Sequence, residues 1–164
     1  MNIDPAPYTL GSEEGEAFWF FGGLVTVKAP ALQPGGNIAI TELLVPRGTA
    51  TPLHRQPEDE ESFYVLEGKL TFYLEDDQPI PASAGSFVHV PAGVAHAYQV
   101  DSETARILVV TTAQHERFFR ATSDPAEART LPPAAPPDME RIMAAAQEYG
   151  VEILGPPPGK QPPS

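Results

Sequence analysis

The sequence predicts an all-β protein, a jelly-roll barrel carrying a C-terminal helical extension. Three observations lead there. Short runs rich in β-branched and aromatic residues recur at close spacing from Ala17 to Thr112. Gly, Pro, Asp and Ser clusters, which make turns, separate these runs, and no helical pattern comes between them. Only beyond Thr112 does the apolar period change from two residues to about 3.6. Many short strands joined by tight turns close on themselves as a sandwich or barrel.

Residues 1–16 are polar and punctuated by Gly and Pro, which suits an arm lying over the domain. The barrel domain is expected over 17–122. Its first strand, Ala17–Ala29, opens with the aromatics of AFWFF and continues through LVTV. Trp19 is expected in the core or over a barrel end. APALQPGG breaks the chain, and NIAITELLV, Asn37–Val45, forms the next strand. Pro46-Arg47-Gly48 turns it again. Strands then follow at Ser62–Leu66, Lys69–Leu74, Ser86–Val90, Ala95–Val100 and Arg106–Thr112. AQHERFFRAT reads as a short helix packing Phe118 or Phe119 back on the barrel. The remainder, 123–164, is a linker, a helix and a Pro-rich tail. Asp138 can cap a helix over Met139–Tyr149, with Met139, Ile142, Met143, Ala146 and Tyr149 as its apolar stripe and Gly150 as its stop. GPPPGKQPPS has the composition of a polyproline-like segment.

Composition narrows the chemistry. At 164 residues the chain suits one domain with a proper core. It has no cysteine, so disulfides and thiolate metal sites are excluded and any metal must be held by nitrogen and oxygen. A net charge of −12, with no Lys/Arg cluster to offset it, argues against nucleic acid or an anionic membrane as partner. No apolar run approaches the roughly 20 residues of a membrane span. The N-terminus lacks a basic stretch followed by an apolar one, so a cytoplasmic protein is the expectation.

Two segments concentrate groups able to bind a metal. GTATPLHRQPEDEESFYVLEG, Gly48–Gly68, holds His54, Gln56 and Glu61. GSFVHVPAGVAHAYQV, Gly85–Val100, holds His96. Each reads as a β-hairpin. Alternation along a strand points His54 and Gln56 to one side, and Phe63 and Val65 share the parity of Glu61. Tyr98 and Val100 share that of His96. If these faces meet, two imidazoles and a carboxylate converge with open positions, the set a divalent first-row metal uses to bind substrate and dioxygen. Phe63, Val65, Tyr98 and Val100 would line an apolar pocket beside them for a flat aromatic ligand. Glu58, Asp59 and Glu60 are expected in a solvated turn. His89 and His115 are given no direct role, with His89 at most behind the ligands.

The two segments resemble the paired motifs of the cupins. Gly48, His54, Gln56, Glu61 and Gly68 fall on the spacing G-x5-H-x-H-x3,4-E-x6-G. Gly85, Pro91, Gly93 and His96 fall on G-x5-P-x-G-x2-H-x3-N, with Val100 where Asn often stands. WFFGGLVTVKA, ERFFRA and YGVEILGPPPG extend the similarity to quercetin 2,3-dioxygenase-like cupins over nearly the whole chain. The resemblance implies a cupin barrel, commonly homodimeric, with one divalent transition metal (Fe, Mn, Ni, Co, Cu or Zn) on His54, Glu61 and His96. It implies dioxygenolytic opening of a flavonol-type or other small oxygen-rich aromatic, with Glu61 taking the substrate hydroxyl proton. A non-catalytic small-molecule-binding cupin and a cupin isomerase are the alternatives. Gln56 departs from the pattern, which has a second His there. It can ligate through its oxygen, hydrogen-bond a bound water or substrate, or mark a metal-poor binder.

Overall fold

The computed structural model describes residues 6–32, 36–75 and 78–159. Parts of the expected N-terminal arm (1–5), of the loops at 33–35 and 76–77, and of the Pro-rich tail (160–164) lie outside the described residues. Two antiparallel sheets face each other. One contains β1 (Glu16–Phe20), β2 (Gly23–Ala29), β3 (Ala39–Pro46), β5 (Glu61–Glu67), β8 (Phe87–Val90), β10 (Thr104–Thr111) and the short β11 (Asp124–Pro125). The other contains β4 (Leu53–Arg55), β6 (Lys69–Leu74), β7 (Ile80–Ser83), β9 (His96–Val100) and β12 (Glu152–Gly155). Their orders are β11-β1-β2-β3-β10-β5-β8 and β12-β4-β9-β6-β7. This is the expected jelly roll.

Strand parity builds the interior. β3 alternates buried and half-buried residues along its length, and so does β10. Leu43, Phe63, Val65, Leu70, Phe72, Val100, Ile107 and Val109 form the core between the sheets. The chain repeatedly changes sheet, from β3 to β4, β4 to β5, β5 to β6, β7 to β8, β8 to β9 and β9 to β10. Gly68 makes the β5–β6 corner at φ +88, where a Cβ would stand 2.4 Å from the Thr104 carbonyl oxygen. Only glycine fits that backbone without strain.

Several expectations need correction. Ala17–Ala29 is not one strand but the β1–β2 hairpin, turned at Phe21 (φ 48) and Gly22 (φ 80). Two successive positive φ values make the tight turn whose twist matches paired strands. The motif segments are not hairpins either. β4 and β5 lie in opposite sheets, as do β8 and β9, because each intervening loop crosses the sandwich. β7 falls in a stretch read as turn, and β12 lies mostly between the expected helix stop at Gly150 and the Pro-rich tail, where no element was expected.

Beyond the barrel, α1 (Ala113–Thr122) and α2 (Met139–Glu148) form where expected. The Asp138 side chain accepts from Arg141 N–H, and Gly150 (φ 71) ends α2, with Val151 N–H bonding back to Ala146. The stripe on α2 is narrower than the apolar pattern suggests. Ile142, Ala145 and Ala146 are buried against Phe118 and Val151, whereas Met139 and Met143 are 41% and 48% exposed. β12 pairs along β4 with Ile153 opposite His54, so the C-terminal extension covers the edge of a motif strand. Trp19 is half-buried outside the core and donates from its indole to the Thr130 carbonyl. Among the described residues, no helix is long and apolar enough to cross a membrane.

Candidate metal and ligand site

His54 and His96 stand directly opposite each other on β4 and β9, with ring centroids 4.3 Å apart. Glu61, the first residue of β5, reaches them from the facing sheet. One donor atom from each of these three residues lies within 4.8 Å of the other two. His54 Nδ1 is 2.8 Å from the Pro52 carbonyl oxygen, and His96 Nδ1 is 3.0 Å from that of Val94. A carbonyl can only accept, so in each neutral ring Nδ1 carries the hydrogen and Nε2 keeps its lone pair for the site. His96 Nε2 lies 3.3 Å from Glu61 Oε2. Two bare nitrogens and a carboxylate converging without a donor among them repel unless a cation or a proton sits between them. Nitrogen and oxygen donors in this number suit a divalent first-row metal.

The surroundings set the charge states. Burial pushes the Glu61 carboxyl upward, but His115 and then His96 outweigh it and hold the group well below the ordinary carboxylate range. Burial lowers His54 to about 4, and the neighbouring His96 adds to that shift. Burial also pulls His96 down. The hydrogen bond to Glu61 and its negative charge overcome this, so His96 sits above the ordinary imidazole value. Burial, then the charge of Glu61, raises the Tyr98 phenol and keeps it neutral.

The sign follows for metal uptake. Near neutrality His54 is already neutral and Glu61 ionised, so the single proton competing with a cation is on His96. Apparent metal affinity should fall about tenfold per pH unit below the His96 pKa, with a slope of about one, and level off above it. Chelator competition across pH 5–9 reads this slope. A slope of two would mean that His54 titrates alongside.

His54 and Glu61 open on a cavity of about 70 Å³ whose wall includes Phe20, Phe21, Phe63, Tyr98, Phe118 and Phe119. Of the four pocket residues expected from parity, Phe63 and Tyr98 line it. Val65 and Val100 do not. They share the right face but lie four residues along their strands, roughly 13 Å farther on, where the sheets pack shut and both are buried. Much of the rest of the wall comes from parts given no pocket role: Phe20 and Phe21 at the β1–β2 turn, α1, Ile142 of α2, and Val151 and Ile153.

Gln56 is buried at 1% exposure, with its amide nitrogen 3.4 Å from Glu61 Oε2. His115, given no role from the sequence, belongs here. It is 4% exposed, lines the cavity, and sets Nε2 3.5 Å from Glu61 Oε1. Its signal was its helical face, since His115, Phe118, Phe119 and Thr122 follow the i, i+3, i+4, i+7 pattern and all are buried. Asp59 is also misjudged as solvated. It is buried and accepts from Thr112 Oγ1 at 2.6 Å and Gln114 Nε2 at 3.1 Å. Glu58 and Glu60 are exposed as expected, and exposed His89 pairs with Ser62 Oγ outside the site.

Residues 41–111 match the cupin domain family. Over 127 residues the sequence is 32% identical to quercetin 2,3-dioxygenase of Bacillus subtilis, a match covering 77% of this chain and 37% of that protein. The chain therefore spans well under half the length of that relative. Among solved structures it is similar to a protein described as a sugar phosphate isomerase from Acidithiobacillus ferrooxidans. The identity is 30% and the TM-score 0.50, over 62% of this chain and 69% of that one. KdgF from a Halomonas species superposes with a TM-score of 0.57 at 15% identity, covering 66% and 94%, a likeness of fold alone.

Proposed function

Because the chain belongs to the cupin family, we propose that it is a metal-dependent dioxygenase that opens a flavonol-type or related small oxygen-rich aromatic ring. The observation that carries this reading is the junction of two unlike surfaces. A His–Glu–His donor set adjoins, through His54 and Glu61, a cavity walled largely by aromatic rings. A planar apolar substrate bearing vicinal oxygens suits both at once. The similarity to quercetin 2,3-dioxygenase supports the same substrate class.

His54, Glu61 and His96 would hold the cation, which when bound supplies Lewis-acid polarisation of the substrate oxygens and a place for dioxygen. The chain's own groups do the rest. The aromatic wall orients the ring system and keeps water from it. Glu61, ionised and lining the cavity, accepts the proton of the substrate hydroxyl beside it. Tyr98 stays protonated and offers a neutral hydroxyl in the wall. The cavity is smaller than the roughly 300 Å³ of a ligand pocket. A three-ring substrate therefore has to displace part of the wall formed by α1, α2 and β12.

The isomerase alternative has less to stand on. A sugar phosphate calls for cationic side chains at its phosphate, and among the described residues no Lys or Arg lines the cavity. A non-catalytic binder is separated by experiment. Protein loaded in turn with Fe, Mn, Ni, Co, Cu or Zn is placed in an oxygen electrode with a flavonol panel. Uptake of one O₂ per flavonol consumed is expected with at least one metal. Flavonol binding without uptake under every metal would leave a binding protein and end the dioxygenase reading.

A further inference from the structure

Glu61 is gripped from two sides. Its Oε2 faces His96 Nε2 at 3.3 Å, and its Oε1 faces His115 Nε2 at 3.5 Å. His115 is in turn touched by Gln56, whose amide nitrogen lies 3.0 Å from Nδ1 and 3.1 Å from Nε2. An amide nitrogen only donates, and an imidazole nitrogen that accepts from it must lack a hydrogen. A neutral ring carries one hydrogen, so its place is decided by the neighbours. Gln56 can donate to either nitrogen, so the carboxylate decides: Nε2–H points at Glu61, and Nδ1 is left bare to accept from Gln56. The other tautomer would aim a bare lone pair at an anion.

We propose that Gln56 and His115 are positioning residues for Glu61: Gln56 donates to the His115 nitrogen that is left bare, and His115 holds one carboxylate oxygen so that the other faces the two imidazoles. This rests on the reading that His54, Glu61 and His96 hold a divalent cation. The departure at position 56 then has a structural meaning. Gln56 is one half of a hydrogen-bonded pair whose other half arrives from a helix outside the barrel.

The framework around the pair is built for this. The His115 ring is stacked on Phe118 at 5.5 Å and 19°, and Phe119 meets it edge-on at 4.6 Å. Thr112 caps α1 by accepting from His115 N–H. Asp59 then ties Thr112 and Gln114 to the loop that carries Gln56 and leads into Glu61. Helix and loop are held in register, and the ring has little freedom to turn. Partners behind metal ligands commonly change affinity by about 10–100-fold when removed.

The test uses the metal-free full chain and Co²⁺ alone, with visible absorption reporting ligand type and chelator competition reporting affinity. His115→Phe should weaken Co²⁺ binding about 10–100-fold with unchanged band positions. His115→Gln, whose amide can still donate to Glu61, should recover most of the loss. Gln56→Met breaks the chain from its other end with little change in volume and should weaken binding in the same direction, so the answer does not hang on one variant folding. Wild-type affinity in both His115→Phe and Gln56→Met would overturn the proposal. So would shifted bands in His115→Phe, which would make His115 a ligand, and so would wild-type protein that takes up no Co²⁺. No substrate enters this measurement, so the dioxygenase reading can fail in the oxygen electrode while the positioning pair stands.

Discussion

Glu61→Gln abolishes flavonol-dependent oxygen uptake and lowers metal affinity by more than about 100-fold, beyond the range seen on removing a group behind the ligands. The carboxylate is the only anion among the three converging donors, and it is 4% exposed. Water therefore cannot replace the charge that the substitution removes. A neutral amide leaves two imidazole lone pairs to hold a dication alone. It also removes the group placed to take the substrate proton, a role worth about 10²–10⁴ in rate. Two readouts keep these effects apart. Affinity is measured by chelator competition without substrate, and oxygen uptake is measured at metal concentrations that saturate the variant. A Glu61→Gln protein that binds metal as tightly as the wild type would falsify the donor set assigned here. A variant that recovers full uptake when saturated would leave Glu61 as a ligand and take the proton-accepting role away from it.

The largest effect on stability is expected from Phe72→Ala. Phe72, on β6, is fully buried, with its ring centroid 5.2 Å from that of Phe63 and 5.9 Å from that of Tyr98. Truncation removes the ring and leaves a hole between two sheets that cannot collapse without breaking their pairing. The cost is about 3–5 kcal/mol, a fall in Tm on the order of 10 °C for a chain of this size. Phe63 and Tyr98 lean on this ring from the cavity side, so the variant that still folds should also bind flavonol more weakly. Thermal melts of the metal-free protein read the first effect without interference from metal binding. A loss under about 1 kcal/mol would mean that the neighbours refill the space.

How much of the site could be read in advance differs residue by residue. His54, Glu61 and His96 sit at motif spacings, and strand alternation turns each inward once the register is fixed. The same alternation fails to separate Phe63 from Val65, or Tyr98 from Val100, because parity fixes the face and says nothing of depth. His115 escaped for a different reason. Its helix was legible, and so was the packing of Phe118 and Phe119. The step from a shared helical face to a shared cavity needs the position of α1 over the barrel mouth. Asp59 looked solvated inside the acidic run PEDEE, and only the return of Thr112 and Gln114 from fifty residues away buries it.

Taken by itself, the sequence determined what repeats locally: strand parity, turn residues, helix caps, and the spacing of two motifs. Those features depend on a few neighbouring residues, whose backbone and side-chain preferences act over one or two turns of chain. The tertiary structure decided what meets what across the sandwich. It alone set the crossings that put β4 and β5 in opposite sheets, the docking of the C-terminal extension as a cavity wall, and the approach of His115 to Gln56 and Glu61. Such contacts are fixed by packing between segments distant in sequence, and no local preference encodes the distance between them.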